Sequence, residues 1–359
     1  MTRKIKVAIA GLGSCASAII QGLTYYKDAK DTDFVPGVMH VRFGPYHIND
    51  IEIVAVFDIN TNKIGKDVSE AIFAKPNAAR KFADVPHLGV TVLPGPISDG
   101  VAPHMRKSFF CYENDDDAVD VAQVLKESGA EILVNFLPVG SDKATKIYAQ
   151  AALDAGVAFA NGIPSFIAST EEWGKKFKDA GIPCAGDDIK SQLGATILHR
   201  VLMQLMNDRG IKVRETYQLN VGGNTDFENM KQEGRLTTKR ISKTQAVTSV
   251  LPYEVPTRIG PSDFVPFLED EKVCYLHALG FNWGENPVNV QLKLSVQDSP
   301  NSAGVMIDVI RALAIAQDRK LAGPLYTISA YSFKHPPRQV EDFKAKQQVE
   351  AYIRGEVEY

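Results

Sequence analysis

The sequence predicts an α/β protein in which a doubly wound parallel sheet is interrupted by a second, α+β domain. Three observations predict it. A β-branched run at residues 5–10 breaks at Gly11-Leu12-Gly13 and continues at helical spacing. Short apolar segments bounded by glycine and proline then alternate with helical patterns as far as residue 207, as a parallel sheet covered on both faces requires. From residue 212 to 295 the runs lengthen and alternate more, between loops marked by Pro252, Pro256, Gly260-Pro261 and Pro266. That change predicts an antiparallel sheet inserted between halves of the first domain.

The elements follow in order. Ala18, Ile19, Gly22 and Leu23 predict a helix over 17–26, and a strand over 51–57 ends in Asp58. The stretch 28–50 between them reads as a long insertion. Asp115-Asp116-Asp117 is expected at the start of a helix running through Leu125, where negative charge suits the dipole. Strands are expected at 132–137, 157–160 and 182–185, with helices over 142–155, 170–180 and 191–207. Strands at 213–221 and 288–296 belong to the second sheet. In the last clear helix Ser299 is the expected N-cap, Pro300 the first helical position and Gly323-Pro324 the stop. The charged tail over 341–359 reads as a surface helix. Domains are accordingly expected at 1–210, 211–298 and 299–359, the last returning to the first sheet.

Composition narrows the function. With 45% hydrophobic and 23% charged residues the chain is neither disordered nor fibrous. No apolar run approaches the ~18 residues of a membrane span, and the start lacks the apolar core and cleavage site of a secretory signal. A cytoplasmic protein is expected, with no membrane partner. Forty Lys+Arg against 43 Asp+Glu leave no electrostatic footprint for nucleic acid. The four cysteines are scattered and read as reduced, buried thiols. No His/Cys/Asp set has ligand spacing, so no metal centre is predicted; Asp187 and Asp188 could hold a hard cation through their oxygens.

Gly11-x-Gly13-x-x-Ala16, after a strand and before a helix, is a variant of the dinucleotide-binding fingerprint. Its first glycine permits the turn and its second lets the backbone approach a pyrophosphate at a helix N-terminus. Gly11, Gly13 and Ser14 are the expected contacts. The acid that would hold the adenosine ribose is expected about 20 residues on. Asp58 lies much further along but has the right place at the end of the second strand, and Asp67 is a second candidate. A carboxylate there favours NAD over NADP, because it repels a 2′-phosphate. The alternative is that Asp58 merely caps the turn with Asn60.

Several segments carry charge that a core pattern does not need. Gly186-Asp187-Asp188-Ile189-Lys190-Ser191-Gln192 falls at the carboxyl end of a parallel strand, where open α/β sheets bind ligands. Residues 220–227 run from a strand end into a polar turn. Lys239 and Lys243 share one face if helical. Taken singly, each lysine is more often a solvated surface charge. Together, GDDIKSQLGAT, NVGGNTDF, KRISKTQAV, the segment around Lys272, DSPNSAG and SFKHPP resemble the myo-inositol-1-phosphate synthase (inositol-3-phosphate synthase) family in its compact bacterial and archaeal form, particularly the actinobacterial one. The resemblance runs from Ile5 to Pro337.

The resemblance implies an NAD-dependent isomerase that cyclises D-glucose 6-phosphate to 1D-myo-inositol 3-phosphate, the committed step of inositol biosynthesis. It implies a Rossmann-type domain from both chain ends around a tetramerisation and catalytic domain, and hence a homotetramer. It makes Lys239, Lys243, Lys272 and Lys334 active-site lysines, with Asp226, Asp270 and Asp298 as acidic neighbours. It puts Ser191, Asp226 and Lys239 near the nicotinamide, and makes Asp188, Asp67 and Tyr148 further cofactor contacts. Lys243 and Lys272 are assigned to the phosphate or the aldol oxyanion, and Lys239 and Lys334 to the C5 oxygen. Asp298 has a plain alternative as a cap of the following helix. Without the resemblance, the residues suggest an NAD-dependent dehydrogenase of a phosphorylated or carboxylated substrate, or a non-catalytic NAD-binding regulator. A dehydrogenase accumulates NADH; a regulator turns nothing over.

Overall fold

The computed structural model describes residues 3–106, 109–113, 115–231 and 237–359, with the backbone alone at 237–240 and 261. The chain opens with β1 (Ile5–Ala10) and α1 (Ser14–Tyr25), makes a hairpin of β2 (Arg42–Phe43) and β3 (Tyr46–His47), and returns as β4 (Ile51–Asp58) and the short α2 (Val68–Ala71). The alternation continues through β5 (Val92–Pro94), α3 (Val121–Glu127), β6 (Ile132–Asn135), α4 (Asp142–Ala155), β7 (Ala158–Asn161), α5 (Glu171–Asp179) and β8 (Pro183–Ala185). After α6 (Ala195–Asp208) come β9 (Lys212–Gly222), α7 (Thr225–Asn229), α8 (Thr237–Thr248), β10 (Thr257–Phe264), β11 (Glu271–Phe281) and β12 (Pro287–Gln297). The chain closes with α9 (Pro300–Asp318), β13 (Gly323–Pro324), α10 (Tyr326–Ser332) and α11 (Asp342–Arg354).

The first sheet has the order β13-β8-β7-β6-β1-β4-β5, and every pairing in it is parallel. Its inner strands read as continuous apolar runs because both faces are covered: β6 and β7 are buried at every residue. The chain winds outward from β1 in both directions, so the strand order reverses between β1 and β6. There the carboxyl ends open a crevice, the usual ligand position of such sheets. The α9 helix is buried from Ala303 to Ala316 almost all round and packs on α1, which explains why its sequence shows little amphipathic pattern. Its Asp308 accepts from Met39 N (2.8 Å) and its Arg311 donates to Val41 O (2.7 Å) and His40 O (2.9 Å). The 28–50 insertion is thereby tied to the core, and Gly37 lies against Gly304 so closely that a Cβ there would clash.

The second sheet has the order β10-β9-β11-β12. It is mixed rather than antiparallel: β11 pairs antiparallel with β9 and β12, but β10 runs parallel to β9. The reason is α7 and α8, which lie between β9 and β10 and carry the chain back for a parallel return. On this sheet α6 packs through Met203 and Met206, which join Val213, Val247 and Ala278 in a separate apolar cluster.

Other expectations need correction. The three aspartates form their own 3₁₀ turn, with Asp115 accepting from Ile97 N at 2.5 Å; α3 begins later, capped by Asp120. Gly323-Pro324 is not a helix stop but the edge strand β13, paired with Pro183 and Cys184. The charged C-terminal helix is anchored as well as solvated: Ala345, Val349 and Tyr352 are buried, and Tyr352 donates to Ala312 O at 2.8 Å. Among the described residues no helix is long and apolar enough to cross a membrane.

Candidate active site

The turn after β1 depends on its glycines for different reasons. Gly11 has φ +91° and donates its N–H to Phe57 O at 2.8 Å, and a Cβ on it would stand 2.7 Å from Phe136 O. A side chain cannot be accommodated there. Gly13 caps α1 with negative φ and has nothing within 4 Å of a Cβ position. It leaves space instead of relieving strain. No side chain caps α1 and no acid stands in its first turn, so its unpaired N–H groups and positive dipole end meet the cavity lined by Gly11, Gly13, Ser14 and Cys15. The Ser14 hydroxyl bonds Asn77 Oδ1 (3.0 Å) and accepts from Ala78 N (3.1 Å).

At the end of β4, Asp58 combines two expectations. It lines this cavity, and it also ties the turn, accepting from Leu12 N (2.8 Å), Ile59 N (2.7 Å) and Asn60 N (2.8 Å). Beside it the buried Lys63 donates to Leu12 O at 2.5 Å and lies 3.8 Å from the Asp58 carboxylate. Nothing in the sequence distinguishes Lys63 from a surface lysine. Tyr148 is buried on the same cavity, its ring centroid 5.8 Å from that of Phe57; burial pushes its hydroxyl well above the ordinary phenol range.

Asp67 has another task. It does not line the cavity; it caps α2, accepting from Ser69 N (2.9 Å), Ser69 Oγ (2.5 Å), Leu88 N (3.2 Å) and Val90 N (3.0 Å). Burial opposes its charge, but the Ser69 hydroxyl and these N–H groups prevail and hold its carboxyl at about 2. A depressed folded-state value stabilises the protein above the unfolded value near 4 and stops doing so as pH falls toward 2. Asp67→Ala is expected to lower stability by about 1 kcal/mol at pH 7, with the deficit shrinking below pH 4. Urea unfolding at pH 7 and pH 3 checks this.

The same cavity is closed by the second sheet. Lys243, Lys272 and Lys334 line it together with Asp188, Ser191, Asp226 and Asp298. Lys272 is the second residue of β11 and pairs in register with Gly222 of β9 and Val296 of β12; its Nζ lies 3.0 Å from Asp298. Burial disfavours its charge, but Asp298 and then Asp226 outweigh burial and raise its pKa. Lys334 donates to Asp188 Oδ1 (2.7 Å) and to Ile189 O (2.8 Å). On its other oxygen Asp188 accepts from Ser242 of α8 at 2.5 Å. The convergence of charge is visible at two thiols. Cys15 is pushed up to about 12 by burial, with Asp298, Asp270 and Asp226 adding to it; Cys274 is pushed up to about 11 by burial, against the pull of Lys272 and Lys243. Lys239 is on α8 one turn before Lys243, as expected, but its side chain lies outside the described residues.

Three assignments change. Asp270 does not line the cavity: it is buried beneath it, accepting from Ser299 N (3.1 Å), Ser299 Oγ (2.7 Å) and Asn224 Nδ2 (3.3 Å). Because Ser299 is engaged there, it makes no side-chain cap on α9, and Asp298 faces Lys272 rather than capping that helix. The Asp187–Asp188 pair is no cation site. Asp187 is wholly buried and accepts from Asn161, Ile167 N, Ala168 N and both Ser169 donors, while Asp188 is held by Lys334 and Ser242. Among the described residues no group of three or more His, Cys, Asp or Glu side chains could hold a metal.

Sequence reasoning missed Gln218, and marked Asn220 and Asn224 only as members of the 220–227 segment; all three line the cavity. A signal was present. On β9 the buried phase reads Thr216, Gln218, Asn220, while Tyr217 and Leu219 occupy the exposed phase. A strand whose inward face is polar is facing something other than a core.

The fold and site define a class: a doubly wound α/β protein in which a dinucleotide-type glycine turn and buried lysine–carboxylate pairs share one cavity. Residues 194–299 match the family model described as Myo-inositol-1-phosphate synthase. Over 355 residues the chain is 52% identical to the inositol-3-phosphate synthase of Mycobacterium tuberculosis, covering 98% of this chain and 96% of that one. It is 51% identical over 360 residues to that of Corynebacterium glutamicum, covering 98% and 99%. A myo-inositol-1-phosphate synthase-related protein from Thermotoga maritima shares the fold, with a TM-score of 0.80 at 24% identity over 98% of this chain and 99% of that one. The chain belongs to the inositol-3-phosphate synthase family.

Proposed function

We propose that this chain isomerises D-glucose 6-phosphate to 1D-myo-inositol 3-phosphate with NAD as its cofactor. The observation that carries the reading is the shared cavity: Gly11 and Gly13 line it together with Lys243, Lys272 and Lys334. The fit to a dinucleotide rests on the open space at Gly13, the uncapped N-terminus of α1 and the carboxylate of Asp58. Bound NAD would supply reversible hydride transfer at the C5 carbon of the sugar. Gly11, Gly13 and Ser14 would hold the pyrophosphate, Asp58 the ribose, and Ser191 and Asp226 the nicotinamide end, with Tyr148 and Asp188 bordering the same space.

The side chains supply electrostatics. Oxidation at C5, enolisation and ring closure each move negative charge onto a sugar oxygen, and fixed donors stabilise such charge most where water is excluded. Lys272, with its raised pKa beside Asp298, keeps its proton through neutral pH. It suits an oxyanion or the phosphate and is a poor proton acceptor. Lys334, fixed by Asp188 and Ile189 O, is assigned with Lys239 to the C5 oxygen, and Lys243 joins Lys272 at the phosphate or the aldol oxyanion. Asp270 acts through Ser299 and Asn224, as a support of the turn. A homotetramer is supported by the outer face of the second sheet, where Tyr217, Leu219 and Tyr275 are exposed.

Incubation with glucose 6-phosphate and a trace of NAD, followed by phosphorus NMR, tests the reading. Inositol phosphate is expected to accumulate in large excess over NAD with no growth of NADH absorbance. One NADH per product would mean a dehydrogenase instead.

A further inference from the structure

Beyond the motifs that face the cavity, the structure contains a buried ionic junction at the start of the C-terminal helix. Asp342, in the first turn of α11, accepts from Lys190 Nζ at 3.1 Å and from Arg200 Nε at 2.7 Å. The two cations are almost wholly buried, with side chains 2% and 1% exposed. Arg200 spends its remaining donors on other elements. It reaches Ala246 O in α8, Ser249 Oγ just past that helix (2.9 Å), Gln339 Oε1 (3.2 Å) and Val340 O (2.8 Å). Lys190 also donates to Ala330 O at 2.8 Å, and its backbone N–H to Ser332 O at 2.8 Å.

These contacts close a ring. Lys190 is two residues from Asp188, which holds Lys334 and is held by Ser242 of α8. Arg200 grips the far end of the same α8, and Asp342 joins Arg200 to Lys190. The turn bearing Asp188 and the helix bearing Lys243 are thus clamped at two points, one in the cavity and one outside it.

We propose that Asp342 is a positioning residue for the isomerase, setting the turn at 187–190 and α8 so that Asp188, Lys334 and Lys243 meet around the sugar phosphate. The proposal rests on the function proposed above. Removing the carboxylate leaves two buried cations without their shared counter-ion, so they separate and the clamp opens. Displacements near 1 Å at a reacting centre cost on the order of 10²-fold in rate. The glycine turn and Asp58, which would hold the pyrophosphate and the ribose, are not part of the ring, so most of the cofactor's contacts should be spared.

Asp342→Asn is the test, with kcat, KM for glucose 6-phosphate, NAD affinity and thermal melting measured on the full chain. A fall in kcat of at least tenfold, with NAD affinity within twofold of wild type, supports the proposal. If Asp342→Asn does not fold, Lys190→Met reads the same coupling, since it leaves the Arg200–Asp342 pair in place. It too should lower kcat at least tenfold with NAD binding intact; where Asp342→Asn does fold, combining the two substitutions should cost no more than the larger single effect. Wild-type turnover in a folded variant, or losses of NAD affinity and activity in parallel, would overturn it. Wild-type protein that makes no inositol phosphate removes the functional reading and this proposal with it; wild-type turnover beside undiminished variant turnover removes this proposal alone.

Discussion

Replacing Lys272 with methionine is expected to lower kcat about 10²–10³-fold, the usual cost of deleting one donor from a preorganised oxyanion site. Methionine keeps the length of the apolar stem, so packing over the Phe227 ring, 5.9 Å from the ammonium, is retained. What disappears is a cation held 3.0 Å from Asp298 in a setting that raises its pKa. The Asp298 carboxylate then lacks the Lys272 ammonium to offset its charge toward the substrate phosphate, so KM should rise as well. Asp298→Asn in the same background should restore part of the KM loss and none of the kcat loss. Phosphorus NMR rates and thermal melts are the measurements. A folded Lys272→Met protein within fivefold of wild-type kcat would remove Lys272 from the chemistry.

The two glycines of the first turn should fail in different ways. Gly11→Ala puts a Cβ at φ +91° and 2.7 Å from Phe136 O. The strained backbone alone costs ~1–3 kcal/mol, and the clash forces β1 away from the segment after β6. Loss of stability and loss of NAD affinity are both expected, seen in urea unfolding and in an NAD titration. Gly13→Ala meets no atom within 4 Å and has an ordinary backbone. Its stability should match wild type, yet its methyl group enters the space where the pyrophosphate would lie, so NAD affinity alone should fall. If both variants bound NAD as wild type does, the cofactor would not sit at this turn.

The contrast between these glycines measures what the sequence made legible. The strand–turn–helix pattern was local, so β1, α1 and α4 could be placed from spacing and glycine alone. Asp58 could be placed at the cavity because strand ends project toward the crevice of a parallel sheet. Asp67 was misread for a corresponding reason: an acid after a strand and an acid at a helix N-cap look alike until the partners of the carboxylate are known. The parallel pairing of β10 escaped because pairing direction depends on how α7 and α8 route the chain. The inward polar face of β9 was present in the text of the sequence but needed its partner strands to give it a phase.

By itself the sequence determined the doubly wound sheet, the glycine turn, the presence of a second sheet and the set of lysine-bearing segments, because hydrophobic period and turn chemistry act between near neighbours. Only the tertiary structure decided which charges meet. It brought Lys272 to Asp298 and Lys334 to Asp188, sent Asp270 beneath the cavity to Ser299, and made the charged C-terminal helix a clamp through Asp342. A carboxylate or an ammonium carries no mark of its partner in the chain. Desolvation makes a buried charge unaffordable alone, and which opposite charge arrives is settled by packing across the whole molecule.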